Sequence, residues 1–168
     1  AAPLEQRACH DRAHQQRRQQ RHREHDLVVI GQGTELSSFA VRALDAGLGH
    51  RIQFLGFRDD VPKVLAACDA LVAPTRYEAF GLGVQEALCT GLPSIVSRRA
   101  GVAERYSEAL SPLLLDDPES ESELLQCLLR WRNEAAAWRS HTLELAAQLR
   151  RRTWDVMADE ILAAMDAA

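Results

Sequence analysis

From residue 26 to about residue 117, short runs of apolar, often β-branched residues alternate with stretches in which apolar positions recur every three or four residues. That alternation predicts βαβ units around a parallel sheet, because a strand covered on both faces reads as a continuous apolar run. Five strands are expected, over residues 27–30, 52–55, 70–73, 94–96 and 113–115. Between the first two, Leu36, Phe39, Ala40, Ala43 and Leu44 fall at helical spacing, and the helix should stop near Gly47 and Gly49. Val61, Val64, Leu65 and Cys68 repeat the device, with Asp59 or Asp60 at the N-cap and Pro62 in the first turn. From Pro118 onward the spacing predicts helices only, around residues 124–131, 138–149 and 154–165, with Trp131, Trp138 and Trp154 as packing residues.

Residues 1–25 break the pattern. They are rich in Gln, Arg and His, with almost no apolar residue after Leu4, so they cannot build a core. The expected organisation is a polar segment over residues 1–25 followed by one α/β domain over residues 26–168, a length suited to a single domain. The formal charge of −4 hides an asymmetry: six Arg against three acids make residues 1–25 net +3, which leaves −7 on the remainder. An acidic body argues against nucleic-acid binding. Cys9, Cys68, Cys89 and Cys127 are scattered, with neither zinc spacing nor a disulfide framework, and are expected as reduced, mostly core-filling thiols. No apolar run approaches a membrane span, and the expected location is cytoplasmic, with association to a membrane surface left open.

The chemistry concentrates between Ala73 and Glu104, in APTRYEAFGLGVQEALCTGLPSIVSRRAGVAE. The stretch follows a strand, and ligands of open α/β sheets bind at the carboxyl ends of strands. Pro74 and Thr75 end the strand, Glu78 stands in the loop, and Gly81 and Gly83 permit a tight turn whose backbone amides could hold an anion just before a helix. Glu86, one turn into that helix, offers a second carboxylate. Two acids that accept from hydroxyls on either side of an anion suit a nucleotide sugar, which is ribose, diphosphate and sugar in order.

The Glu78-to-Glu86 spacing, E-x7-E within YEAFGLGVQEALCTGLPSIVS, resembles the donor-binding domain of retaining GT-B glycosyltransferases of group 1, or family 4. LVVIGQGTE at residues 27–35, RIQFLGFRDDVPKVLAACDALVAPTRYE at residues 51–78 and TWDVMADEIL at residues 153–162 are similar to further family blocks in the same order. The resemblance implies a Rossmann-like, doubly wound parallel sheet with C-terminal helices packed back on it. It implies that Glu78 is the catalytic-site acid facing the donor sugar, that Glu86 accepts from the ribose, and that Phe80, Gly81 and Leu82 meet sugar and diphosphate through backbone amides. Gly31 and Gly33 would lie near the phosphates, Phe57 and Arg58 near the base, and Pro74 and Thr75 beside the nucleotide. No metal or other cofactor is implied, the donor being a UDP, GDP or ADP sugar. Ala100 and Gly101, followed by Glu104, stand where the family often has two glycines and an acid.

The family's donor domain opens with a central strand bearing a Gly-Arg pair and then a Lys-Gly pair, whose cations neutralise the diphosphate. Neither pair occurs in residues 1–25. The acceptor-binding domain would precede that strand, so the expectation is the donor half of a hexosyltransferase, inactive by itself and dependent on an N-terminal domain or a protein partner. If that central strand is missing, the remaining strands must either close the gap or leave exposed edges. The alternative is a non-catalytic remnant that binds nucleotide sugars or a protein partner. Gly31-Gln32-Gly33 does not complete a dinucleotide fingerprint, since Leu36 stands where a third Gly or Ala belongs. His10 and His14 share helical i,i+4 spacing but read as a solvated face. Asp59-Asp60 reads as a helix start, not as a metal pair.

Overall fold

A computed structural model describes residues 26–166; the polar segment over residues 1–25, with His10 and His14, lies outside the described residues. The chain divides into two compact units between Asp59 and Asp60, where the sequence reading expects one body from residue 26 onward.

The first unit is a single βαβ turn. Strand β1 (Leu27–Ile30) pairs in parallel with β2 (Ile52–Gly56), Leu27 against Ile52, with an irregularity between Val29 and Ile30. Helix α1 (Leu36–Asp45) connects them and ends where expected: Gly47 takes a φ of +71°, donates to the Leu44 carbonyl, and is followed by Leu48 donating to Ala43. Glycine enters this left-handed conformation without the steric penalty of a Cβ. Among the described hydrophobic residues of this unit only Ala43 is buried, while Leu27, Phe39, Val41, Leu44, Leu48 and Phe57 are exposed.

The second unit is thicker. It comprises α2 (Val61–Ala67), β3 (Leu71–Ala73), α3 (Leu82–Cys89), β4 (Ser94–Ser97), two 3-10 turns (Gly101–Arg105 and Glu108–Leu113), β5 (Leu114–Leu115), α4 (Glu121–Asn133), α5 (Ala135–Leu149) and α6 (Trp154–Asp166). The strands are parallel in the order β3-β4-β5, with Leu71 beside Ser94 and Val96 beside Leu114. Every residue of β4 and β5 is buried, which explains their unbroken apolar character. Leu88, Ile95, Val96, Val102, Leu110 and Leu113 form the centre of a core that Trp138 and Leu145 of α5 close. Trp131 packs against it half-buried, and Cys127 is buried inside it. A smaller cluster sets Leu65 of α2 against Ala87 and Leu92.

Local signals explain most boundaries. Ser120 caps α4 by accepting from the Glu123 amide, while Glu123 returns two bonds to the Asp116 and Asp117 amides and so ties the loop to the helix start. Asp60 occupies the N-cap of α2 with Pro62 in its first turn, although its side chain makes no capping bond. Between β4 and β5 the chain forms two 3-10 turns, Gly101–Arg105 and Glu108–Leu113, that the apolar pattern does not announce.

The strands therefore form a parallel α/β fold with C-terminal helices, but in two sheets, one of two strands and one of three. Among the described residues β1 is paired only with β2, and β3 only with β4. Among the described residues each sheet therefore has two terminal strands, β1 and β2 in the first unit and β3 and β5 in the second. No helix of the described residues is long and apolar enough to cross a membrane.

Candidate functional site

The loop after β3 carries the candidate chemistry, and its geometry follows from a few backbone facts. Beyond Ala73 the chain turns at once, the Thr75 amide donating to the Ala73 carbonyl at 3.0 Å. Ser97, fully buried at the end of β4, donates its hydroxyl to the Thr75 carbonyl and holds that turn from the neighbouring strand. The Thr75 hydroxyl oxygen is itself buried and has no hydrogen-bond partner among the described residues.

Glu78 is half-buried. Its Oε1 accepts from the Gly81 amide at 2.9 Å and from the Phe80 amide at 3.2 Å. Two donors on one oxygen fix the carboxylate's orientation, and hydrogen bonds to an ionised acceptor are the stronger kind. Gly81 adopts φ +87° and ψ +49° as the N-cap of α3, and a Cβ there would stand 2.9 Å from Val102 Cγ1. Glycine is required at this position on both counts. Gly83, by contrast, is an ordinary helical residue inside α3, so one glycine rather than two makes the turn.

Helix α3 begins at Leu82, and the first amides of any helix lack acceptors within it. The backbone thus presents donors at the carboxyl edge of β3, with the macrodipole of α3 adding to their attraction for an anion. Leu82 and Phe80 are exposed, as is Glu86 on the same helix, while Ala87 and Leu88 turn into the core. Arg76 is paired with Glu119 at the surface, and Arg98 with Asp116.

Pro74, Thr75, Glu78, Phe80, Gly81 and Leu82 accordingly share one continuous loop, with Glu86 one turn into its helix. The remaining sequence-identified residues belong to the first unit. Gly31 donates to the Gly56 carbonyl at 2.9 Å, with φ +138°; Gly33 is exposed before α1; Phe57 is 73% exposed, and Arg58 half-buried. A separate pocket of about 190 Å³ lies in the second unit between β5 and α4, lined by Arg98, Cys127 and Arg130 among others and by none of the residues identified from sequence.

Sequence reasoning missed the floor of the loop. Gly101 donates its amide to the Glu78 carbonyl at 3.2 Å, and a Cβ at Gly101 would fall 2.3 Å from the Ala79 carbonyl oxygen. Ala100 is extended at φ −73° and ψ 138°, a conformation open to any residue, so the alanine where the family often has a first glycine costs the turn nothing. The signal was in the sequence, as the single retained glycine of that pair.

Comparison with known proteins agrees with this picture. The family described as glycosyl transferases group 1 matches residues 12–143. An uncharacterized glycosyltransferase of Bacillus subtilis, YqgM, is 31% identical over 113 residues, which cover 65% of this chain and 32% of that protein. The lipopolysaccharide glucosyltransferase WaaG of Escherichia coli is 30% identical over 102 residues, covering 61% of this chain and 27% of WaaG. The chain thus spans under a third of the length of these curated relatives. Among solved structures, HepE of Anabaena in complex with UDP and glucose superposes with a TM-score of 0.70 at 22% identity, over 85% of this chain and 40% of HepE. At that identity the likeness speaks for the fold, which is that of the C-terminal half of GT-B glycosyltransferases. With most of its length matched and its parallel α/β architecture in agreement, the chain belongs to the glycosyl transferase group 1 family, whose members use nucleotide sugars.

Proposed function

We propose that this chain is the donor-binding half of a retaining hexosyltransferase and that Glu78 and Glu86 hold the nucleotide sugar. The observation that carries the reading is the Glu78 carboxylate, held by the Phe80 and Gly81 amides at the start of α3 on the carboxyl edge of β3. One oxygen is committed to the backbone and Oε2 is left to accept from a sugar hydroxyl. The diphosphate would sit at the α3 N-terminus, where the Leu82 amide and the helix dipole attract an anion without a cationic side chain. Glu86, exposed on α3, would accept from the ribose. Pro74 and Thr75 are proposed to lie beside the nucleotide, and for Gly31, Gly33, Phe57 and Arg58 of the first unit the family resemblance alone supports a nucleotide-side role.

HepE, which shares the fold, has been crystallised with UDP-glucose. That supports a nucleotide sugar as ligand here and leaves the base and sugar to measurement. Turnover is a separate matter. Departure of a nucleoside diphosphate develops negative charge, and losing one preorganised donor for such charge commonly costs ~10²–10³ in rate. Neither a Gly-Arg nor a Lys-Gly pair occurs in these 168 residues. We therefore expect this chain to bind donor without turnover, the acceptor half and the neutralising cations coming from a longer protein or a partner.

Calorimetric titration of the chain with UDP-glucose, GDP-mannose and ADP-glucose, beside the free nucleotides, tests the assignment. Glu78→Gln should weaken the preferred sugar nucleotide about tenfold or more and spare the free nucleotide, whereas Glu86→Gln should weaken both. Affinities untouched by either substitution would remove both roles.

A further inference from the structure

The loop that carries Glu78 is fixed from below by one short segment. Ser97 Oγ donates to the Thr75 carbonyl at the loop's start, and the Gly101 amide donates to the Glu78 carbonyl at its middle. At its end Val102 Cγ1 stands 2.9 Å from where a Gly81 Cβ would be. Ser97 and Val102 are each 1% exposed, so the floor is anchored in the core. Gly101 is closer still: its missing side chain is what lets the Ala79–Phe80 backbone lie on the 3-10 turn, with Phe80 Cα 3.2 Å from a would-be Cβ.

We infer that Ser97 and Gly101 are positioning residues for Glu78. They set the backbone of residues 75–81 so that the Phe80 and Gly81 amides converge on a single carboxylate oxygen, Oε1, and leave Oε2 to a ligand. Neither touches a ligand in this arrangement; both act through Glu78, and the inference rests on the sugar-facing role proposed for that residue. The consequence is chemical selectivity. Disturbing the floor at Gly101, beneath Glu78, should cost recognition of the sugar more than recognition of the nucleotide, because the α3 dipole does not depend on the Glu78 rotamer, whereas Ser97 also holds the Thr75 carbonyl beside the proposed nucleotide.

Two measurements on the full 168-residue chain test this. The first needs no ligand. In amide NMR spectra, Glu78→Gln identifies how the Phe80 and Gly81 signals respond when the carboxylate charge is removed. Gly101→Ala should move the same two signals in the same direction, and Ser97→Ala should move them less, while the Ile95 amide inside β4 stays in place. If the Phe80 and Gly81 signals are unmoved in both variants, the inference is wrong whatever the protein binds. If the Ile95 amide shifts as well in both variants, the two residues serve the core and not Glu78.

The second is the ratio of affinities for UDP-glucose and UDP, or for GDP-mannose and GDP or ADP-glucose and ADP, whichever pair binds. Gly101→Ala should lower the sugar-nucleotide affinity about tenfold with the free nucleotide within about twofold, and should add almost nothing in a Glu78→Gln background. The milder Ser97→Ala, which fits without a clash, should lower the sugar-nucleotide affinity about threefold and more than that of the free nucleotide, although its bond to the Thr75 carbonyl also reaches the nucleotide side. Equal losses for both ligands would overturn the assignment. If no sugar nucleotide binds the parent chain, the donor reading fails, and the amide signals alone decide whether the floor holds Glu78.

Discussion

The two units of this chain use the same βαβ grammar and reach different results. Among the described residues of the first, Ala43 is the one buried hydrophobic side chain, with Leu44 67% exposed and Phe39 about half exposed. In the second, β4 and β5 are wholly buried between helices and a continuous core runs from Val84 to Leu145. The difference lies in layering rather than composition. A two-stranded sheet offers too little surface to be sandwiched, so apolar residues at correct helical spacing have nothing to cover. The loop that includes Glu78 rests on the well-packed unit, where a rigid floor can hold a carboxylate in one rotamer.

The sharpest way to break this comparison is to remove matched leucines. Leu110, fully buried in the second unit, should cost about 2–5 kcal/mol when changed to Ala, because the lost transfer energy is joined by a cavity that the packed surroundings cannot fill. Leu44→Ala in α1 should cost less than about 0.5 kcal/mol, as exposed positions do. Urea unfolding followed by tryptophan fluorescence reads the second unit alone, since Trp131, Trp138 and Trp154 all lie there. Circular dichroism reads both units. Comparable losses from the two substitutions would mean that Leu44 is covered in solution and that the first unit is not as thin as it stands here.

Much of this was legible in the sequence, and the limits have physical causes. All five strands occur where the apolar runs place them, within a residue or two, because a short run of apolar, β-branched residues is a local property that a local pattern records; of the five, β4 and β5 are also wholly buried. The loop from Pro74 to Leu82 was legible for a similar reason: a glycine before a helix, an acid three residues upstream and a strand before that are all near in sequence. What could not be read is whatever depends on distant pairing. Ser97 and Thr75 are 22 residues apart, and nothing around Ser97 says that its hydroxyl reaches another strand's exit. The separation into two sheets is of the same kind, since strand pairing is decided by neighbours and not by the strand itself. The sequence reading also spread one turn over Gly81 and Gly83, because composition marks a permissive residue without marking which copy takes the positive φ.

Hydrogen exchange sharpens the comparison strand by strand. Exchange from the β4 amides, buried on both faces, should require opening of the whole second unit, whereas β1 and β2 should open locally. The expected gap is roughly a hundredfold or more in protection between Ile95 and the β1–β2 amides such as Val29. Equal protection would show that the first unit opens only together with the second. If Glu78→Gln leaves β4 protection unchanged, the carboxylate serves the loop and not the core.

The smallest effect is a pH dependence confined to the second unit. Tyr106 and Tyr77 are the chain's two tyrosines, and both lie there. Tyr77 is 85% exposed, whereas Tyr106 packs half-buried against the core and donates its hydroxyl to the Ser94 carbonyl at 2.8 Å. Burial pushes the Tyr106 phenol well above its ordinary value, because the tyrosinate would lose its hydration. The folded state therefore holds this proton at a pH where the unfolded chain, titrating near ~10, releases it. Stability from Tyr106 is complete below that pH and falls as pH rises past it, by about 1.4 kcal/mol at pH 11. Tyr106→Phe should lose about 0.5–1.5 kcal/mol at neutral pH for the missing hydrogen bond, yet show a flatter decline between pH 9 and 11 when followed by tryptophan fluorescence. An identical alkaline slope in parent and variant would mean that the phenol is already in water, and that the core beneath β4 is looser than its buried strands indicate.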